Sequence, residues 1–281
     1  MYPNTFFLGM GLYEICIAVG VVVAMLLADK IGRLRGFSMA LQRMLILSIV
    51  SAVAFGFLGA ILFQAFYDFL ESGEFTLESG MTFYGGFIFG VGGFLLMWLI
   101  ISKFFGVQKE ALSRTKDVAD MAGAIVPLAH AFGRLGCFFA GCCHGNLTDK
   151  WYGVRMWICV QNGDKCHFQW ANVVPVQLFE AAFLLVLAAV LFKVLWRGDE
   201  VPAKRVPILP FYFIAYAVWR FCIEFARGDE RGQSPLSFLT PSQFIAVILF
   251  AVGVAYLGVW VYKKFRKEEI GDGKNSSNGN L

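Results

Sequence analysis

Charge is the scarcest property of this sequence. Asp, Glu, Lys and Arg make up 16% of its 281 residues against 58% hydrophobic, and the mean hydropathy is +0.64. A soluble surface needs roughly a quarter to a third charged side chains, so a water-soluble fold is excluded and an integral membrane protein is expected. The net charge of +4 does not point to nucleic acid, because the basic residues mark the ends of apolar runs and form no patch. A basic leader with a small-residue cleavage site is also lacking at the start, so the first apolar run is expected to remain as a helix. No inverted repeat or matching pair of broken helices is apparent, which ranks a transporter or non-catalytic lipid-binding protein below an enzyme. The cysteines lack the paired spacing of structural zinc motifs, so neither a metal nor a cofactor is expected.

What is present is a series of apolar runs near 10–28, 44–69, 81–102, 118–140, 175–195, 207–225 and 240–262. Each is close to the roughly 20 residues that cross a bilayer, which predicts an all-α polytopic protein of seven transmembrane helices. Most of the 24 Lys and Arg fall after the first, third and fifth runs and in the tail. The positive-inside rule then puts the N-terminus outside and the C-terminus in the cytoplasm. The acidic stretch DFLESGEFTLESG, with no Lys or Arg, falls on the outer side as expected. One membrane domain over 1–267 and a disordered cytoplasmic tail over 268–281, polar and rich in Gly and Asn, complete the domain reading.

Between the fourth and fifth helices lies an outer-face segment containing RMWICVQNGDKCHFQW, which reads as a hairpin with Asn162 and Gly163 as its two-residue turn. That register sets Cys159 directly opposite Cys166, at a separation suited to a disulfide. The outer side is oxidising in bacteria, so the bond is expected. Cys16 and Cys222, inside apolar runs, read as packing residues.

The densest group of reactive side chains is HAFGRLGCFFAGCCHG, from His130 to Gly145. It puts Arg134 at membrane depth, where a permanent charge is costly and usually functional. Around it stand Cys137, Cys142, Cys143 and His144; read as helix, Cys137 and Cys142 are small residues that permit tight packing near Arg134. The sixth run carries YAVWRFCIEFARGDERG, in which Tyr216, Arg220, Glu224 and Arg227 recur at helical spacing and share one stripe. Such a stripe cannot face lipid. One reading is an Arg220–Glu224 ion pair that holds the bundle; the other joins Arg220 to Arg134 as a phosphate clamp, since guanidinium forks match a phosphate bidentately. Gln177 and Glu180 share a face near the outer end of the fifth helix. In the third run, Gly85 and Gly86 follow Tyr84, and bare backbone there serves either close helix packing or approach of a lipid head group.

These segments together resemble the prolipoprotein diacylglyceryl transferase family. GRLGCFFAGCCHG is similar to the family signature G-R-x-x-N-F-x-N-x-E-x-x-G, with support from LYEICIAVG, SGMTFYGGFIFG, VPVQLFEA, YAVWRFCIEFAR and LTPSQ. The resemblance implies seven helices, a bacterial inner-membrane location, phosphatidylglycerol as donor and prolipoproteins with a lipobox cysteine as acceptors. It maps the signature arginine to Arg134, its closing glycine to Gly145, and a tyrosine–arginine–glutamate run to Tyr216, Arg220 and Glu224, with Arg227 just beyond. Tyr13 matches a functional tyrosine of the first helix. Cys137, Ala140 and Cys142 replace the signature's asparagine, asparagine and glutamate; Tyr84 replaces a histidine and Ala60 an arginine. The expected catalytic set is therefore Arg134 and Arg220, with Tyr84, His130 or His144 assisting the proton transfer. Tyr13, Gly85, Gly86, Cys137, Cys142, Gly145, Tyr216, Glu224 and Arg227 are expected to bind substrate. Two alternatives remain: a relative with another phospholipid donor or acceptor, and an enzyme using one of the clustered cysteines as nucleophile.

Overall fold

A computed structural model describes residues 11–73, 75–77, 82–162, 165–201, 205–228, 236 and 238–277; within these, the side chains at 71–72, 83–84, 159–162, 165–168 and 267–277 fall outside the description. Its helices are α1 Leu12–Leu34, α2 Met39–Ser72, α3 Phe83–Phe104, α4 Gln108–Ala140, α5 Val176–Glu200, α6 Leu209–Ile223 and α7 Pro241–Ser277. A hairpin, β1 Val154–Asn162 and β2 Lys165–Val173, stands between α4 and α5. Among the described residues, seven helices are long and apolar enough to cross a membrane, as the apolar runs predict. Several outrun them. The backbone of α7 continues to Ser277, into the stretch expected to be a disordered tail, whose side chains and last residues, 278–281, lie outside the description.

The chain divides into two compact units, Met25–Val118 and a second made of Met1–Ala24 with Ala119–Leu281. In the first, α2 and α3 are packed along a seam of small residues. A Cβ at Gly85 would fall 2.4 Å from Gly59 O and from Phe63 Cβ, so the two backbones meet at a distance that no larger residue permits. Ser38 caps α2 by accepting from Leu41 N and donates its hydroxyl to Glu110 at 2.6 Å. Arg35 donates to Asp117 O at 3.1 Å, and Arg114 pairs with the Asp117 carboxylate at 3.1 Å.

The second unit contains the start of α1, the latter part of α4, the hairpin and α5 to α7. Asp120 on α4 accepts from the buried Ile208 N at 2.8 Å and so fixes the beginning of α6. Phe183 and Trp219 stack at 4.3 Å between α5 and α6. The inner face of the hairpin buries Met156, Ile158 and Val173 against Phe138 near the end of α4, while Trp157 and Trp170 meet edge to face across the strands.

The hairpin register differs from the expected one. Asn162 pairs with Lys165, where the expected register would set it against Gly163; residues 163–164 lie outside the description. Cys159 therefore faces Phe168, and Cys166 faces Gln161; the cysteines are diagonal neighbours on one face, not a directly opposed pair. Register follows turn geometry, so a small change at the turn shifts every pair along the strands. The side chains of Cys159 and Cys166 lie outside the description, and with them the expected disulfide.

Candidate functional site: an arginine–glutamate network

Glu180, in the second turn of α5, is fully buried, and a carboxylate in that position must be paired to remain ionised. Its Oε2 lies 3.1 Å from Arg134 Nε and 3.8 Å from Arg220 Nη1. One carboxylate oxygen from α5 therefore joins a guanidinium from α4 to another from α6. Its second oxygen, Oε1, accepts from the Tyr216 hydroxyl at 2.9 Å. Arg220 Nη2 donates to Ser242 Oγ at 2.7 Å and pairs with Glu224 Oε2 at the same distance. Arg227 Nε stands 3.9 Å from that Glu224 oxygen.

The local sequence explains why these groups meet. Tyr216, Arg220 and Glu224 occupy successive turns of one face, but the α-helix ends at Ile223 and tightens to 3-10 geometry over Glu224–Ala226. Glu224 therefore caps the helix instead of continuing it, and Arg227 departs in extended backbone. Gly145 pairs with Arg227 in an isolated bridge and donates its N–H to Val174 O at 2.9 Å; a Cβ there would fall 2.6 Å from Ala226 O and 2.7 Å from Val174 O. Only glycine fits this crossing, which ties the exits of α4 and α6 to the hairpin's end. At the start of α7, Thr240 N donates to Gln243 Oε1 and Gln243 N donates to Thr240 Oγ1, with Pro241 opening the helix. This is a capping box, and its threonine hydroxyl also donates to Glu224 Oε1 at 3.0 Å.

Three arginines and two glutamates form this network. Arg134 Nε and Arg220 Nη1 are buried and, though ion-paired, have no hydrogen bond of good geometry. Burying such charges costs several kcal/mol per ion. Two forked guanidiniums are the usual protein answer to a phosphate oxygen.

The remaining expected residues divide. His130 precedes Arg134 by one helical turn, and its ring meets that of Tyr216 edge to face at 4.9 Å, which places it beside the network. Tyr13 is brought to α4: a Cβ on Gly136 would lie 3.1 Å from its ring. The imidazole Nδ1 of His144 lies 2.9 Å from Gly145 O, at the chain crossing. Tyr84, Gly85 and Gly86 belong to the other unit; the Tyr84 side chain is outside the description, and Gly85 is packed on α2.

Cys137, Cys142 and Cys143 bring their sulfurs within 4.8 Å of one another. The helical reading of Cys142 needs correction, because α4 stops at Ala140. Gly141, at φ 75°, adopts the left-handed conformation that glycine takes without penalty. Cys142 N then bonds Cys137 O and Gly141 N bonds Phe138 O, both at 3.2 Å. This Schellman turn folds its last residue back over the helix, so Cys142 lands on Cys137. Gln177 on α5 donates to Cys142 O at 2.7 Å and secures the turn. Cys143 is held well below the usual thiol range, first by hydrogen bonds from the other two thiols and then by Arg227 and Arg134. Cys142 is pushed up by the same sharing.

Glu180, Gln177, Ser242 and Thr240 were not among the expected site residues. Glu180 had a signal, since a glutamate in the otherwise apolar VPVQLFEAAFLLVL is an intramembrane charge.

Comparison with known proteins gives the family. A sequence model described as prolipoprotein diacylglyceryl transferase matches residues 4–259. The chain is similar to the phosphatidylglycerol–prolipoprotein diacylglyceryl transferase of Clostridium tetani (strain Massachusetts / E88), with 30% identity covering 91% of this chain and 94% of that one. It is similar to the second such enzyme of Clostridium perfringens (strain 13 / Type A), with 30% identity over 86% of this chain and 88% of the relative. A Xanthomonas euvesicatoria relative of the same description is also 30% identical, over 81% and 78%.

Proposed function

This chain belongs to the prolipoprotein diacylglyceryl transferase family, and from that membership we propose that it is a membrane transferase that moves the diacylglyceryl group of phosphatidylglycerol onto the lipobox cysteine thiol of a prolipoprotein, at the outer face of the bacterial inner membrane. The observation that carries the reading is the sharing of one buried Glu180 oxygen by Arg134 and Arg220. A phosphodiester presents oxygens that two guanidinium forks can bind bidentately.

In the reaction the acceptor sulfur forms a bond to the glycerol carbon, and the bond from that carbon to the phosphate oxygen breaks. The thiol proton leaves, and glycerol phosphate departs with the bonding electrons. Arg134 and Arg220 hold the phosphate and stabilise the charge that grows on it, an effect worth on the order of 10²–10³ in rate per donor. Glu180 and Glu224 keep the two forks oriented, and Tyr216 fixes Glu180. His130, one turn from Arg134 with its ring against Tyr216, is the imidazole beside the network and takes the thiol proton.

The experiment is direct. Purified protein in vesicles of phosphatidylglycerol, given a lipobox peptide, should release glycerol phosphate and add a diacylglyceryl mass to the peptide cysteine. Peptide and lipid binding without release would favour a binding or transport protein.

A further inference from the structure

We propose that Cys137, Cys142 and Cys143 form a three-thiolate site for a thiophilic closed-shell cation, of which zinc(II) is the test ion. The proposal is independent of the transferase reading and concerns a group of side chains that the phosphate chemistry does not use. None of the three cysteines is joined in a disulfide, and their sulfurs lie within 4.8 Å of one another. A zinc–sulfur bond of about 2.3 Å places thiolates roughly 3.8–4.0 Å apart in trigonal or tetrahedral coordination, so the observed cluster needs a contraction of no more than about 1 Å, within the reach of χ1 adjustments.

A disulfide would employ two of these sulfurs and leave the third without use, whereas the fold spends two unusual backbone conformations on bringing all three together. Gly141 is left-handed by residue type, but Cys143, at φ 60°, is the one positive-φ non-glycine among the described residues. That conformation costs a β-carbon residue of order 1 kcal/mol or more. Soft thiolate donors select soft or borderline cations over calcium or magnesium. Cys142 is exposed, which gives an ion a way in and leaves room for a water as fourth ligand.

The consequence is positional. Cys137 follows Arg134 by three residues on α4, and the turn that carries Cys142 is bonded to Gln177, three residues before Glu180 on α5. An ion here would clamp the ends of the two helices that supply the Arg134–Glu180 pair. It would do so at the positions where Cys137 and Cys142 stand in place of the signature's asparagine and glutamate.

The test uses the full chain, purified in detergent with reductant and then exchanged under inert gas. Cobalt(II), as a spectroscopic stand-in, should produce a thiolate-to-metal charge-transfer band that saturates at one equivalent and is displaced by zinc(II). Cys137→Ser, Cys142→Ser and Cys143→Ser should each abolish or strongly weaken the band, while the Cys16→Ser/Cys222→Ser double variant should retain it. Should a serine variant fail to fold, the wild-type protein still decides: one equivalent of zinc(II) should slow alkylation of three thiols together, read by mass spectrometry. No saturable band, a band that survives the Cys142→Ser change, or a disulfide joining two of the three in reductant-purified protein would overturn the proposal.

Discussion

Two sets of helices in this chain are held together by opposite means. α2 and α3 meet along glycines, where the absence of a Cβ lets the backbones touch; α4, α5, α6 and α7 meet through two glutamates, two arginines and the hydroxyls that bond them. Packing of small residues is inexpensive in a bilayer and accounts for cohesion alone. Buried ion pairs seldom repay their desolvation relative to apolar residues, so a network of them in a membrane is better understood as a site than as a fastener. The glycine seam should therefore fail as a fold, and the charge network should fail as chemistry.

The widest separation between the two is expected for Arg134→Ala. It should lower glycerol phosphate release by about 10³-fold, the upper range for removing one oxyanion donor, with the variant still purifying as a helical monodisperse protein. A loss of activity fully explained by loss of folded protein would make Arg134 a fastener. Next comes Glu180→Gln, which keeps a partner for Tyr216 but removes the charge shared by both arginines. A fall of about 10²-fold in kcat is expected, since hydrogen bonds between charged groups are worth roughly 1.5–3 kcal/mol each; a change confined to KM for the lipid would shift Glu180 to ground-state binding only.

Gly59→Leu tests the other side. A Cβ at Gly59 would fall 2.3 Å from Phe89 Cβ, and overpacking of this kind costs about 1–3 kcal/mol. The thermal midpoint in detergent should drop while turnover per folded molecule changes little, and a selective loss of turnover would contradict the separation. The smallest effect belongs to Thr240→Val, which removes a cap and one bond to Glu224. A cap is worth about 1 kcal/mol, so a loss of roughly fivefold is expected, shared between stability and rate.

The parts of the fold that come from local periodicity were legible in the sequence. Apolar runs near 20 residues foretold seven helices, and the spacing of Tyr216, Arg220 and Glu224 foretold one face. The features that depend on how the chain reverses were not. The hairpin register depends on the turn, and reading Asn162–Gly163 as that turn moved every cross-strand partner. C-x4-C-C does not look like a metal motif until Gly141 ends α4 and turns Cys142 back onto Cys137. Glu180 was visible as a charge in an apolar helix, but only the packing of α4, α5 and α6 reveals that its Oε2 pairs with both arginines.

Arg220→Lys gives the sharpest test, because it keeps the positive charge and removes only the planar fork that bonds Ser242 and Glu224 while facing Glu180. Glycerol phosphate release from phosphatidylglycerol vesicles with a lipobox peptide should fall about 10²-fold, nearly as far as in Arg220→Ala, since an ammonium cannot reproduce bidentate geometry. A lysine variant that retains most of the wild-type rate would contradict the claim that these guanidiniums grip the phosphate.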